Sequence, residues 1–399
     1  MGKKKTKGKG GKKWPRGLFG RAPIIPLYLV AVAPRLPRPP PRSPLSTHSA
    51  TAGVFHVKTY VFDDDVLLSG ANLSDDYFSN RTDRAMLIRG CAALADWQTR
   101  LAGALSLLCH APDGSPRGSI DTLSTPVSEV AAYARDLVAP LLEPDVAAAA
   151  AVARDLGPSG AGAASYIFPT IQMGPFGVRH DEEATLAVLG GLSQTQRLSL
   201  SSAYFNLTPA YEATLLSRAA TVKLDVITAA PTANGFYNGK GLSAHLPHGY
   251  AYNVKCFVDA AARLGRSVAV HEYRRPGWTF HAKGLWWMAG GGGGGGGSGG
   301  AESSHDTDSD SPARASSSSV AALTLIGSPN FGERSVERDL ESQCAIATTD
   351  PALCDTLSDE REAVFAHGVE FSDETARQQA EERAWWVPFA ARVAIKSFM

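Results

Sequence analysis

Phe55-His56-Val57-Lys58 and, far downstream, Phe280-His281-Ala282-Lys283 are the stretches whose comparison decides the fold. Each lies in a β-branched and aromatic setting, Val54 to Phe62 and Thr279 to Met288, that reads as a strand. The two-residue period of a strand puts His and Lys of each copy on one face. In Ser69-Gly70-Ala71-Asn72, Gly70 stands 12 residues beyond Lys58; in Gly327-Ser328-Pro329-Asn330, Gly327 stands 44 beyond Lys283. Between the second pair lies a glycine run followed by Ser/Asp-rich sequence, residues 289–319, which reads as a flexible insertion of 31 residues. Without it the spacing of 44 becomes 13, next to 12 in the first copy. Both copies run on into polar, charged segments, Asn80 to Arg84 and Arg334 to Glu341. One His-x-Lys is ordinary strand decoration. Two with a matched small-residue turn are an internal repeat, read as two halves facing each other across one site.

Outward from these strands the chain divides in three. Residues 1–50 are Lys/Gly-rich and then Pro-rich, a composition that reads as a leader or a disordered basic segment. Residues 51–195 form the first half, with Val66 to Ser69 and Ala85 to Ile88 as further strands and helices over Ala92–Leu108, Val127–Leu142 and Asp145–Leu156. Residues 196–399 form the second half. Strands are expected there over Arg197–Tyr204, Val222–Thr228, Ser267–Tyr273, Leu323–Ile326 and Gln343–Ala347, and helices over Pro209–Ala220 and Ala251–Leu264. Strands alternating with helices imply an α/β layered class.

The charge balance narrows the function. Lys+Arg and Asp+Glu are both 39 in a chain of 399 residues. All 13 basic residues before Asp63 are unopposed by any acid, so the remainder carries 26 basic against 39 acidic groups. A net-acidic folded part argues against a nucleic-acid binder, which needs cations along the phosphate backbone. Five cysteines without a CxxC pair argue against a disulfide framework or a zinc ribbon. The apolar run Ala22 to Ala33 is short and broken by Pro23 and Pro26, whereas a spanning helix needs ~20 apolar residues.

The repeated residues suit phosphoryl chemistry. Lys58 and Lys283 supply point charges for phosphate oxygens, and Ser69, Asn72, Ser328 and Asn330 supply oriented donors or simply build turns. His56 and His281 provide a nucleophile and a general acid on opposite sides of phosphorus, with no metal or other cofactor required. Asp63, seven residues after His56, is read as its orienting partner, on condition that the Asp63-Asp64-Asp65 triplet turns the chain. That makes His56 the nucleophile and His281 the acid, although the residues also allow the reverse. Glu341, with Arg338, reads as an ion pair or as support for the site.

His56-x-Lys58-x4-Asp63 with Ser69 to Asn72 resembles the first signature of the phospholipase D superfamily. LSGANLSDDY (68–77), SAYFNL (202–207), RPGWTFHAKGL (275–285) and LIGSPNFGERSVERDL (325–340) narrow this. Together they resemble the eukaryotic phosphatidylglycerophosphate synthase family, from about Gly53 to about Glu370. Position 288, where a second aspartate of the motif would stand, is Met288, and the resembled family lacks that aspartate too. The resemblance implies two phospholipase D-like αβ(β)α sandwich halves packed face to face. It also implies folded strands ahead of the first His-x-Lys, so the first half reads as truncated. It implies transfer of a phosphatidyl group from CDP-diacylglycerol to glycerol 3-phosphate through a phosphohistidine, at an anionic membrane surface in the mitochondrion. A phosphatidylserine or cardiolipin synthase, a phospholipase, or an inactive lipid-binding fragment are the competing readings.

Overall fold

The computed structural model describes residues 54–155, 163–191, 197–217, 223–289 and 320–391. The basic segment 1–50 and most of the insertion therefore lie outside the described residues. The first elements are β1 (Thr59–Phe62), β2 (Asp65–Ser69), β3 (Arg81–Thr82) and β4 (Ala85–Ile88), then α1 (Ala92–Ser106), α2 (Val127–Leu142) and α3 (Val146–Asp155). Next come β5 (Ser165–Met173), α4 (His180–Gly191), β6 (Arg197–Ser202), α5 (Pro209–Ser217), β7 (Lys223–Ala229), α6 (Leu246–Arg263) and β8 (Val268–Tyr273). The chain continues through β9 (Thr279–Phe280), β10 (Lys283–Ala289), β11 (Val320–Gly327), α7 (Glu333–Glu337) and β12 (Leu340–Thr348). It closes with α8 (Pro351–Phe365), β13 (Gly368–Glu370), α9 (Asp373–Glu382) and α10 (Val387–Ala390). The mixed α/β class read from the sequence is the class observed.

Eight strands make the main sheet, in the order β13-β8-β7-β6-β10-β11-β12-β5. The β6, β7 and β8 ladders are parallel, because helices cross over between them; the others are antiparallel. β1, β2 and β4 make a separate three-stranded antiparallel sheet. The sequence boundary at 195 is not a sheet boundary: β5, ahead of it, pairs along its whole length with β12.

Apolar side chains on one face of the main sheet, Leu198, Leu200, Val226, Leu285 and Leu325, pack with Phe205 and Phe257 in one core. Each fully buried aliphatic of this kind contributes about 2 kcal/mol. A second core joins α1 and α2 to the end of β5 through Leu101, Leu105, Val138, Ile171 and Met173. The small sheet docks on the large one through Val66 and Leu68 against Ile326, Cys344 and Ile346. A polar tie reinforces this docking. Buried Arg84 donates to Glu360 on α8 and to the carbonyls of Lys283 and Leu325, and its guanidinium lies 4.0 Å from the Trp286 ring centre.

Both expected His-x-Lys strands are interrupted. Around the first, β1 begins only at Thr59, and Phe55 makes an isolated parallel bridge to Leu340. The second breaks at His281 and Ala282, between β9 and β10, and Gly284 just inside β10 takes φ 123°, a conformation that L side chains rarely adopt. The breaks turn each histidine away from its own sheet and towards the opposite half.

Candidate active site

Two backbone hydrogen bonds build the centre, and they are equivalent. His56 N–H donates to the carbonyl of Leu340 at 2.8 Å, and His281 N–H donates to the carbonyl of Thr82 at 2.7 Å. Both belong to parallel pairings, Phe55 with Leu340 and Phe280 with Thr82. In each case the residue after the accepting carbonyl is a buried carboxylate, Glu341 or Asp83. The same register thus sets each imidazole against an acid from the other half. His56 Nδ1 lies 2.8 Å from Glu341 Oε2, and His281 Nδ1 lies 2.8 Å from Asp83 Oδ2.

This corrects the assignment of Asp63. The triplet does turn the chain, with Asp63 at φ 53°, but it forms the exposed tip between β1 and β2. A two-residue hairpin tip points away from the strand that carries His56, so Asp63 cannot orient that ring. Asp83 is the residue the sequence reading missed. It lies 13 residues beyond Gly70, as Glu341 lies 13 beyond Ser328, so aligning the repeat on Ser328 rather than Gly327 exposes the pair.

The lysines face the same space. Lys58 Nζ donates to the carbonyl of His56 at 2.7 Å. Lys283 Nζ lies 2.8 Å from His281 Nδ1 and 3.2 Å from Nε2. A Cβ on Gly70 would come within 3.0 Å of Lys283 Nζ and 3.1 Å of Asp83 Oδ1, so a larger residue would push on both side chains. Ser328 is buried and exchanges hydrogen bonds with the backbone of Ser342, beside Glu341. Asn330 Oδ1 is buried without a partner among the described residues. Ser69 and Asn72 stand apart from this group. The Ser69 hydroxyl donates to the carbonyl of Arg84 and accepts from Ala71 N–H, which is turn chemistry, and Asn72 is exposed. Glu341, read as an ion pair with Arg338 or as support for the site, supports it by holding His56.

Two tyrosines complete the His281 side. The Tyr77 and Tyr204 rings meet the imidazole edge-on at centroid distances of 5.1 and 5.7 Å. Tyr77 sits on a 3₁₀ turn, Asp75–Phe78, at whose start the Ser74 side chain makes no cap.

Burial splits the electrostatics of the two histidines. Desolvation, then the charge of Lys283, lowers the His281 pKa to about 3, so that ring is neutral at physiological pH. Burial pushes the Glu341 carboxyl up, but His56 and Lys58 outweigh it and hold it at about 2. Burial likewise raises Asp83, and Lys283 and His281 override it, leaving the carboxyl below its ordinary range. Desolvation lowers Lys58 to about 7 against the pull of Glu341. Burial also lowers Lys283.

Among the described residues, His56, Asp339 and Glu341 bring ligand-type atoms within 4.8 Å of one another. These atoms already have counter-charge or hydrogen bonds. Glu341 holds His56, and Asp339 accepts from Val54 N–H and pairs with Arg334 at 3.0 Å.

Fold and site together define a phospholipase D-like α/β protein with a two-histidine, two-lysine centre. No protein-family model matches the chain. A curated relative from Dictyostelium discoideum, described as a probable CDP-diacylglycerol–glycerol-3-phosphate 3-phosphatidyltransferase, is 36% identical over 78% of this chain and 52% of its own length. The mitochondrial CDP-diacylglycerol–glycerol-3-phosphate 3-phosphatidyltransferase of Homo sapiens is 33% identical over 87% of this chain and 61% of its own. The chain thus spans between half and two-thirds of the length of these relatives. The crystal structure of phosphatidylserine synthase from Haemophilus influenzae matches at a TM-score of 0.57 with 18% identity, over 88% of this chain and 72% of that one, which is a likeness of fold. By sequence the chain is similar to the eukaryotic phosphatidylglycerophosphate synthases over that part of their length.

Proposed function

We propose that the protein transfers the phosphatidyl group of CDP-diacylglycerol to glycerol 3-phosphate, releasing CMP and forming phosphatidylglycerophosphate. The observation that carries this is the reciprocal exchange of carboxylates between two His-x-Lys units, in which desolvation and Lys283 leave one imidazole neutral and Glu341 gives the other an ionised partner.

In the proposed first step His281 is the nucleophile. Its Nδ1–H is held by Asp83, so Nε2 carries the free pair. Nε2 attacks the phosphorus that bears diacylglycerol, the bond from phosphorus to the CMP oxygen breaks, and His56 gives its proton to CMP. In the second step neutral His56 takes the proton of the acceptor's 1-hydroxyl. The oxygen attacks phosphorus, the N–P bond breaks and His281 is restored. This reverses the order drawn from Asp63. A nucleophile must be unprotonated, which suits His281 at about 3, and a general acid needs a counter-charge, which Glu341 gives to His56. The cations on the phosphoryl oxygens are Lys58 and Lys283, so the steps need no cofactor.

The architecture is proposed as two phospholipase D-like halves facing across this centre. The parallel bridges Phe55–Leu340 and Thr82–Phe280 support it. The lipid donor places the work at an anionic membrane surface, and the mammalian relatives' names suggest the mitochondrion. Among the described residues no helix is long and apolar enough to cross a membrane. Leu73 and Phe78, beside Tyr77, are exposed and offer an apolar edge next to the site.

The test uses CDP-diacylglycerol and labelled glycerol 3-phosphate in mixed micelles, followed by rapid quenching with donor alone and mapping of the phosphohistidine. Label in lipid and an adduct on His281 are expected. An adduct on His56 reverses the roles, and CMP release without labelled lipid overturns the transferase reading.

A further inference from the structure

Arg334 is a cation that the two-step chemistry leaves unused. Its Nε is tied to Asp339, at 3.3 and 3.0 Å from the two carboxylate oxygens. Among the described residues its two terminal nitrogens have no partner. The side chain is 25% exposed, so this free edge opens onto solvent-reachable space. Arg81, on the other flank, is occupied by contrast. It donates to Thr279 Oγ1 at 3.0 Å, pairs with Asp76 at 3.3 Å and lies over the Tyr77 ring.

A second, independent observation sits beside Arg334. Tyr250 is 2% exposed, and its hydroxyl is buried with no partner among the described residues. An unmet phenol inside a protein costs stability unless something binds it. Burial drives this phenol well above its ordinary pKa, and the charge of Arg334 acts against that. The Tyr250 ring packs on Tyr204 at 5.5 Å, and Tyr204 packs on His281. Asn330, with its own unpartnered Oδ1, is tied to the same wall through Ser202, whose hydroxyl donates to the Asn330 carbonyl at 3.0 Å. A guanidinium edge and a neutral hydroxyl donor are the groups that recognise a phosphate monoester.

We propose that Arg334 and Tyr250 form the subsite for the phosphate of the acceptor, and so select glycerol 3-phosphate over an uncharged alcohol. This rests on the transferase reading. The acceptor's hydroxyl must reach His56, and its phosphate lies three carbons away. Arg334 reaches the His56 side through Asp339, which it holds at 3.0 Å and whose carboxylate lies within 4.8 Å of the ligand atoms of His56 and Glu341.

The experiment compares wild type, Arg334→Gln, Arg334→Lys and Tyr250→Phe with glycerol 3-phosphate and with glycerol as acceptors. Loss of fold lowers both activities together, so the ratio of their kcat/KM values is the readout. That ratio falls about tenfold or more in R334Q and Y250F, through KM for glycerol 3-phosphate, and R334K retains part of it. An unchanged ratio overturns the proposal, as does a parallel rise in KM for CDP-diacylglycerol, which assigns Arg334 to the nucleotide. Should wild type label no lipid at all, the transferase reading fails separately. Calorimetric titration of glycerol 3-phosphate then decides the subsite alone: affinity about tenfold weaker in R334Q supports it, and equal affinity overturns it.

Discussion

Glu341→Gln separates charge from shape at the His56 centre. The amide oxygen still accepts from Nδ1–H, so the 2.8 Å contact survives and only the negative charge is lost. A carboxyl held below its ordinary range takes up its proton later in the folded protein than in the unfolded chain. Its contribution to stability is therefore complete above pH 4.5 and drains away as the pH falls towards 2. That interval of roughly 2.5 pH units, at about 1.4 kcal/mol each, makes roughly 3 kcal/mol. Glu341 is fully buried, so solvent does not discount the figure. Urea unfolding of both proteins at a series of pH values from 7 down to 2.5 reads it directly. Asp339 and Asp181 feel the charge of Glu341 and shift with it, so the difference reports Glu341 together with its effect on these two neighbours. Wild type is expected to lose roughly 3 kcal/mol more than E341Q over that range. At neutral pH the variant's kcat drops by roughly 10² to 10⁴, because the proposed general acid His56 has lost the charge of its carboxylate partner. Parallel acid loss in the two proteins would refute the idea that Glu341 is an ionised buried partner of His56.

Other perturbations follow from the same geometry. Asp63→Gly relieves a left-handed residue at an exposed turn and leaves transfer activity intact, where Asp83→Asn reduces kcat by roughly 10² or more; parallel steady-state assays decide. Transfer falls as pH rises through about 7, because Lys58 loses its proton there, and Lys58→Arg removes that limb of the pH–rate profile. Gly284→Ala would set its Cβ 2.1 Å from both Arg84 Nη1 and the Leu325 carbonyl, and the urea midpoint should report a loss of about 3 kcal/mol or more. Ala289 and Val320 are paired across β10 and β11, so replacing residues 290–319 with Asn-Gly keeps activity within about twofold of wild type.

What could be read from the sequence is what repeats or alternates. The His-x-Lys copies, the Gly/Ser turns and the α/β alternation carry local signals, and the strands at 66–69 and 85–88 fall where expected. What escaped depends on chain distance or on position within a sheet. Glu341 meets His56 across 285 residues, and no spacing rule reports that contact. β5 was hidden by Pro169, which lacks a ladder donor; β5 is an edge strand, where a proline is tolerated. α6 begins at Leu246 rather than Ala251, because Pro247 sits in the first turn, where its missing N–H costs nothing. Arg334 and Tyr250 look unremarkable one at a time. Only the folded wall shows one with a free edge and the other with an unmet hydroxyl.

The two halves give the centre its geometry, and unequal burial gives it two roles. Each imidazole is hung from a carbonyl of the opposite half and braced by the acid that follows that carbonyl. Neither half can therefore assemble a braced histidine by itself, and slipping either parallel bridge by one residue would lose a ring and its acid together. Symmetry alone would yield two equal histidines, and a displacement at phosphorus needs unequal ones. Tyr77 and Tyr204 close over His281 and leave its side chain 6% exposed, against 19% for His56. The more desolvated ring cannot hold a proton and is left with its electron pair. The more open ring faces the ionised Glu341 carboxylate. Unequal burial, with the charge of Lys283, thus turns a repeated motif into a proposed nucleophile and a proposed acid.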